Sequence, residues 1–286
     1  MTFSPSTPLT FPPPSLSNHL PYSPPTLLLL LTPSPHHPNL HLPKSSPYKF
    51  KPKLQSFPPT SPDPLLHDPH PFLSPQDSKN LQTLSTFSYT HQFDHGSLTI
   101  RSMDPAETDA TASLLAESFA ESMLVPGQYT SILAFLVRQY LMERRALVPH
   151  ATMLVGYYRR SGVGEGVEEG EVLAGTAEVS FDARGANASP PTPVPPRDLP
   201  YICNMTVRKG LRRKGIGWQL LKACEELICK MNGSRDVYLH CRMVDTGPFK
   251  MYQKAKYTVV KTDNFLIWLT LQRRKHLMHK RLKCEE

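Results

Sequence analysis

Met205-Thr206-Val207-Arg208-Lys209-Gly210-Leu211-Arg212-Arg213-Lys214-Gly215-Ile216-Gly217-Trp218 is the stretch on which the fold turns. A strand reads through Tyr201 to Val207. Five residues later Arg212-Arg213-Lys214-Gly215-Ile216-Gly217 opens a helix to Met231, whose inner stripe is Ile216, Leu220, Cys224, Leu227 and Met231. A strand, a glycine-containing loop and a helix N-terminus make an anion trap. Unpaired N–H groups converge at the first turn, the helix dipole adds about half a positive charge, and a residue lacking Cβ admits a phosphate closely. With three cationic side chains beside it, the turn suits a pyrophosphate better than a single carboxylate. An Arg-x-x-Gly-x-Gly string is common by chance; its place at a strand-to-helix junction gives it weight. The alternative is a structural turn with a solvated basic rim.

Working outward, Leu98-Thr99-Ile100 alternates as a strand, and Asp104-Pro105 with Glu107 caps a helix whose buried stripe is Leu114, Leu115, Ser118 and Phe119. After Pro126-Gly127, apolar residues from Ile132 to Leu141 recur at helical spacing through about Arg145. Met153 to Tyr157 and Val172 to Phe181 read as a hairpin with a Gly/Glu-rich tip from Ser161 to Gly170. Arg184 to Pro200 holds six prolines and reads as a loop. Beyond the central motif come a strand (Val237 to Arg242), a short helix (Pro248 to Lys254) and a final strand pair (Tyr257 to Val260, Phe265 to Leu271). The order β-α-α-β-β-β-α-β-α-β-β predicts one α+β domain over 97–272 with a mixed sheet.

The head of the chain is different in kind. Of 31 prolines in 286 residues, 21 fall in the first 80, and no Asp or Glu precedes Asp63. Proline this dense forbids a continuous helix, and a hydroxylated, mildly basic, acid-free segment has the composition of an organelle transit peptide. The first arginine is Arg101, which favours a plastid over a mitochondrion. A disordered transit segment is therefore expected over 1–85, with cleavage between about Phe57 and Phe93; the alternative is a Pro-rich tail for partner domains. No apolar run, that of Leu27 to Leu31 included, comes near the roughly 20 residues of a membrane span. Cys203, Cys224, Cys229, Cys241 and Cys284 show no paired spacing and are expected as free thiols in a reducing compartment. No metal site is expected. The net charge of +8 lies mostly in the folded part, and residues 273–286 are expected as a solvated basic tail. No helix-turn-helix, RNA-recognition or zinc pattern points to a nucleic acid.

On these motifs the chain resembles the GNAT superfamily of acyl-CoA-dependent N-acyltransferases, from about Leu98 to Leu271. The resemblance implies a mixed, mostly antiparallel sheet flanked by helices, with acetyl-CoA as co-substrate. Arg212, Arg213, Lys214, Gly215, Ile216, Gly217 and Trp218 then hold the coenzyme pyrophosphate, and the strand backbone at Met205, Thr206 and Val207 pairs with the pantetheine arm. A V-shaped gap is expected between that strand and Val237 to Arg242. Asp245 and Thr246 begin the next helix seven residues before Tyr252, where many members have Asn in place of Asp245. The whole looks most like the plastid-targeted plant members, which acetylate protein N-termini and lysine side chains.

The resemblance implies three roles. Tyr252 is the proton donor to the departing thiolate, the alternative being a core tyrosine packed against Phe249 and Tyr257. The Met205 N–H is the oxyanion donor. For the base, Tyr238, His240 and Arg242 share one face of their strand, making His240 a candidate against a satisfied core histidine. Glu178 on the hairpin is the second candidate. Near pH 8 an α-amine is about half neutral, whereas a lysine is neutral in well under one molecule in a hundred, so a weak base favours α-amines. Protein amines in the plastid stroma are the first reading of the acceptor. A small amine (arylalkylamine, polyamine or amino acid) is the second, and a non-catalytic acyl-CoA-binding module the third.

Overall fold

The computed structural model describes residues 74–123, 126–161, 170–231, 233–269 and 273–284. The transit reading of 1–73 and most of the hairpin tip lie outside these residues. Helix α1 (Pro75–Thr86) opens with Pro75 in its first turn and Ser74 as its cap, the Ser74 Oγ accepting from the Asp77 N–H at 3.1 Å. A hairpin of β1 (Ser88–Phe93) and β2 (Gly96–Ser102) follows. Asp104 and Glu107 then form a reciprocal capping box ahead of α2 (Thr108–Met123) and α3 (Thr130–Arg145).

Strands β3 (Ala151–Arg160) and β4 (Val172–Ser180) pair antiparallel, and the proline-rich loop leads to β5 (Tyr201–Val207). The remainder is α4 (Ile216–Lys230), β6 (Asp236–Arg242), α5 (Thr246–Lys254), β7 (Thr258–Thr262), the single turn α6 (Leu266–Leu269) and β8 (Lys275–Arg281). One eight-stranded sheet runs β1-β2-β3-β4-β5-β6-β8-β7, antiparallel except where β5 meets β6.

Alternation along β3 separates two layers. Leu154 joins the core under α4, while Met153 packs with α2 and α3 through Leu115, Leu133 and Leu141. Leu220, Leu221, Leu227 and Ile228 of α4 are fully buried, each contributing about 1.5–3 kcal/mol of apolar burial. A Cβ on Gly175 would lie 2.6 Å from the Thr206 carbonyl and 2.8 Å from Leu220, so glycine there lets α4 sit tightly against β4 and β5.

Four expectations need correction. First, the fold does not start near Leu98: α1 and β1 precede it, Leu84 and Phe87 enter the core and Asp77 is buried against Arg184. From Gln76 the helix carries only Leu81 and Leu84 among polar residues ahead of Phe87, so its periodicity is faint beside the prolines before it. Second, Phe265 to Leu269 is a turn and the short helix α6 where a strand was expected, Thr270 and Leu271 lying outside the described residues; the last strand described is β8, which lies between β6 and β7 and is made from the segment expected as a basic tail. Its Leu277 and Met278 are buried, and Lys280 and His279 meet Glu225 and Asp236 at 2.7 and 2.8 Å. Paired cations in a strand look from sequence like a solvated run. Third, Cys229 and Cys284 form a disulfide, clasping the end of α4 to the residues after β8; Cys203, Cys224 and Cys241 are free. Their 55-residue separation carries no sequence signal. Fourth, Ile132 and Phe135 sit in α3 as expected but lie on its exposed side.

Candidate active site

The central motif folds as its residue types demand. After β5 a short turn (Lys209–Leu211) brings the chain round, Arg213 takes φ +66°, and Gly215 caps α4 at φ +86°. That left-handed cap costs a side-chain-bearing residue about 1–2 kcal/mol, and a Cβ there would also press on the Phe93 ring at 3.2 Å. Gly215 has no side chain with which to cap the helix, so the first N–H groups of α4 keep their donors for an external anion. Arg212 is braced: its guanidinium makes a bidentate pair with Glu121 of α2 at 3.0 and 2.7 Å, and its Nε donates to the Val207 carbonyl at 2.9 Å. The Arg212 hydrogen bond holds the Glu121 carboxyl below its ordinary pKa. Beside this brace lies a cavity of about 190 Å³, lined by Ser118, Thr206, Val207 and Arg212 among others, with Thr206 donating to Ser118 at 2.7 Å.

Strands β5 and β6 pair only through Tyr201 with Tyr238 and Ile202 with Leu239, then part. The expected gap is present. On its other side β5 carries a bulge: Thr176 pairs with Thr206 and Glu178 with Cys203, so Asn204 and Met205 together face Ala177. Tyr252, on α5, projects across this region, its hydroxyl 3.8 Å from the Met205 Sδ. It is buried and packs edge-on to Tyr257 with ring centroids 6.0 Å apart; burial pushes its phenol well above the usual range.

His240 lies on the face of β6 expected for it, with Tyr238 and Arg242. Its Nε2 is 2.8 Å from the Pro193 carbonyl and its Nδ1 is 2.7 Å from the Tyr201 hydroxyl. A carbonyl only accepts, so Nε2 carries the proton and Nδ1 presents its lone pair to Tyr201. Burial lowers the His240 pKa to about 4, leaving the ring neutral at physiological pH. Glu178, 1% exposed, is engaged on both oxygens: Arg144 Nε reaches one at 2.5 Å, and Tyr140 Oη and Asn204 Nδ2 reach the other at 2.7 Å each. Both oxygens are thus already committed to protein donors, and the side chain is buried away from an incoming amine. Asp245 forms an ion pair with Arg242 at 2.6 and 3.2 Å, which turns its side chain to β6.

Met205, Tyr252 and the Gly215 turn are thus gathered around the parting of β5 and β6, while Glu178 belongs to a separate buried network behind the bulge. Tyr201 was missed in sequence reasoning as a partner of His240. Both lie near the apex, and the parallel pairing of their strands is the signal that joins them.

A family model for the acetyltransferase (GNAT) family matches residues 134–257. The chain is 58% identical over 214 residues to GCN5-related N-acetyltransferase 5, chloroplastic, of Arabidopsis thaliana, covering 74% of this chain and 67% of that one. The chain belongs to the GNAT acetyltransferase family. It is an acetyl-CoA-dependent acyltransferase and, like this relative, a chloroplast protein. GCN5-related N-acetyltransferase 4, chloroplastic, of the same plant is 33% identical over 70 residues, 24% of each chain. Among solved structures, RimL, a ribosomal L7/L12 alpha-N-protein acetyltransferase in complex with coenzyme A, superposes with a TM-score of 0.45 at 12% identity over 66% of this chain and 96% of that one.

Proposed function

We propose that this acetyltransferase modifies protein amines, α-amines at least as readily as lysines, by direct transfer. The observation that carries the reading is the neutral His240 with its lone pair turned to Tyr201. A base this weak does not strip an ordinary lysine ammonium near pH 8, but an α-amine of pKa about 7.7–8 is already half neutral.

In the proposed reaction the α4 N-terminus, Arg213 and Lys214 bind the coenzyme pyrophosphate, and β5 orients the thioester with its carbonyl at the Met205 N–H. The neutral amine attacks the carbonyl carbon. Its nitrogen becomes strongly acidic only then, and the Tyr201 hydroxyl accepts that proton as its own passes to His240 Nδ1. Tyr252, kept protonated by burial, donates to the sulfur as the C–S bond breaks.

Incubating the full chain with acetyl-CoA and matched peptides bearing a free α-amine, a lysine or both, alongside spermidine and an arylalkylamine, tests the reading. It expects kcat/KM to rank α-amine at or above lysine and both far above the small amines. Lysine-only products, or preference for a small amine, would overturn it.

A further inference from the structure

Asn204 is the one non-glycine residue of β5 with a left-handed backbone, at φ +48°, and it stands inside the bulge beside Met205. Asparagine tolerates that conformation better than most residues, but the conformation alone does not explain how firmly it is held. Both ends of Asn204 are tied to β4. Its carbonyl accepts from Thr176 Oγ1 at 3.2 Å, and its Nδ2 donates to Glu178 Oε2 at 2.7 Å and to Tyr140 Oη at 3.1 Å. Thr176 and Glu178 are two apart in β4 and so share a face. The anchor is itself anchored: Glu178 is paired with Arg144, whose Nη2 donates to the Gly185 carbonyl at 2.6 Å. A buried carboxylate with every partner in place is a rigid reference point.

We infer that Asn204 is a positioning residue, fixing through Glu178 and Thr176 the direction in which the Asn204–Met205 peptide presents the Met205 N–H to the acetyl carbonyl. The inference rests on the reading of that N–H as the oxyanion donor. The peptide unit between Asn204 and Met205 turns with the ψ of Asn204, and both hydrogen-bonded ends of Asn204 restrain that rotation. Glu178 then serves catalysis without receiving a proton, and Tyr140 and Arg144 connect the bulge to α3.

The test uses the full-length chain with Asn204→Ala, Asn204→Gly and Glu178→Gln. Asn204→Gly keeps the positive φ at little cost and removes only the side-chain tie, so it folds even if Asn204→Ala does not. Two quantities are read: kcat, and the ratio of affinities for acetyl-CoA and S-ethyl-CoA, a thioether without the carbonyl oxygen. Wild type should favour acetyl-CoA. Both Asn204 variants should lose roughly 10- to 100-fold in kcat and bring the ratio towards one, with S-ethyl-CoA affinity unchanged. Glu178→Gln should lower kcat by a similar factor at every pH from 6 to 9 without moving the pH profile. A wild-type ratio of one sinks the oxyanion reading and this inference with it. A wild-type preference that Asn204→Gly retains together with wild-type kcat, or a pH profile displaced by Glu178→Gln, overturns the positioning role alone.

Discussion

The Tyr201 hydroxyl lies 2.7 Å from His240 Nδ1, at the point where β5 and β6 separate. The pair joins the apex of the sheet to the proline-rich loop, because the other ring nitrogen is held by Pro193. If the two side chains relay one proton, they act as a unit. Tyr201→Phe and His240→Asn should each lower kcat by about 100-fold, and the double variant should be no worse than the singles. Additive losses in steady-state kinetics would show that they act separately.

The same histidine sets a stability profile. Its folded pKa of about 4 lies below the ordinary 6.5, so below pH 6.5 the unfolded chain takes up the proton first. Its contribution is complete above pH 6.5 and disappears as pH falls towards 4, amounting to roughly 3 kcal/mol. Urea unfolding at pH 7.5 and 4.5 should show a drop in wild type that is smaller by about that amount in His240→Asn. An equal drop in both would assign the loss to other groups.

Tyr252→Phe should reduce kcat by about 100-fold while leaving the affinity for coenzyme A within about twofold. Among the described residues the hydroxyl's hydrogen bond is a weak one, to the Met205 sulfur, so the melting temperature should move little. A large loss of coenzyme affinity with unchanged kcat would make Tyr252 a wall of the site and not its acid.

How far the residues alone disclosed this arrangement depends on where each signal was stored. The strand-loop-helix around Gly215 was legible because one local string carries the turn, the cap and the apolar helix face together. The gap between β5 and β6 and the place of Tyr252 followed from the family resemblance. The Tyr201–His240 contact needed the pairing of two strands 39 positions apart in sequence. Glu178 was legible as a hairpin carboxylate but not as a buried one, because its partners Arg144 and Tyr140 come from a helix whose apolar residues, Ile132 and Phe135 on the exposed side included, do not fix which face meets the sheet. The β8 strand was hidden for a simpler reason: its Lys280 and Arg281 find carboxylates on α4 and β6, which composition does not reveal.

The early start of the fold predicts a boundary. A chain beginning at Leu98 loses α1, β1 and the burial of Leu84 and Phe87, about 1.5–3 kcal/mol for each side chain. Its melting temperature should fall by more than about 10 °C relative to a chain beginning at Ser74, or the product should be insoluble. Matching melting curves would show that α1 and β1 are dispensable.

The Cys229–Cys284 bond predicts a second effect on stability. Cys284→Ser should cost about 2–4 kcal/mol, dithiothreitol should impose the same loss on wild type, and the variant should not respond to it. Intact mass under non-reducing conditions checks the bond itself. A wild type insensitive to reductant would contradict it.

Calorimetry with coenzyme A bears most directly on the role given to the α4 N-terminus. Wild type should bind coenzyme A at least 100-fold more tightly than 4′-phosphopantetheine, which lacks the pyrophosphate, and Gly215→Glu, adding bulk and negative charge at the left-handed cap, should abolish the heat. Equal affinity for the two compounds, or wild-type binding by Gly215→Glu, would contradict it.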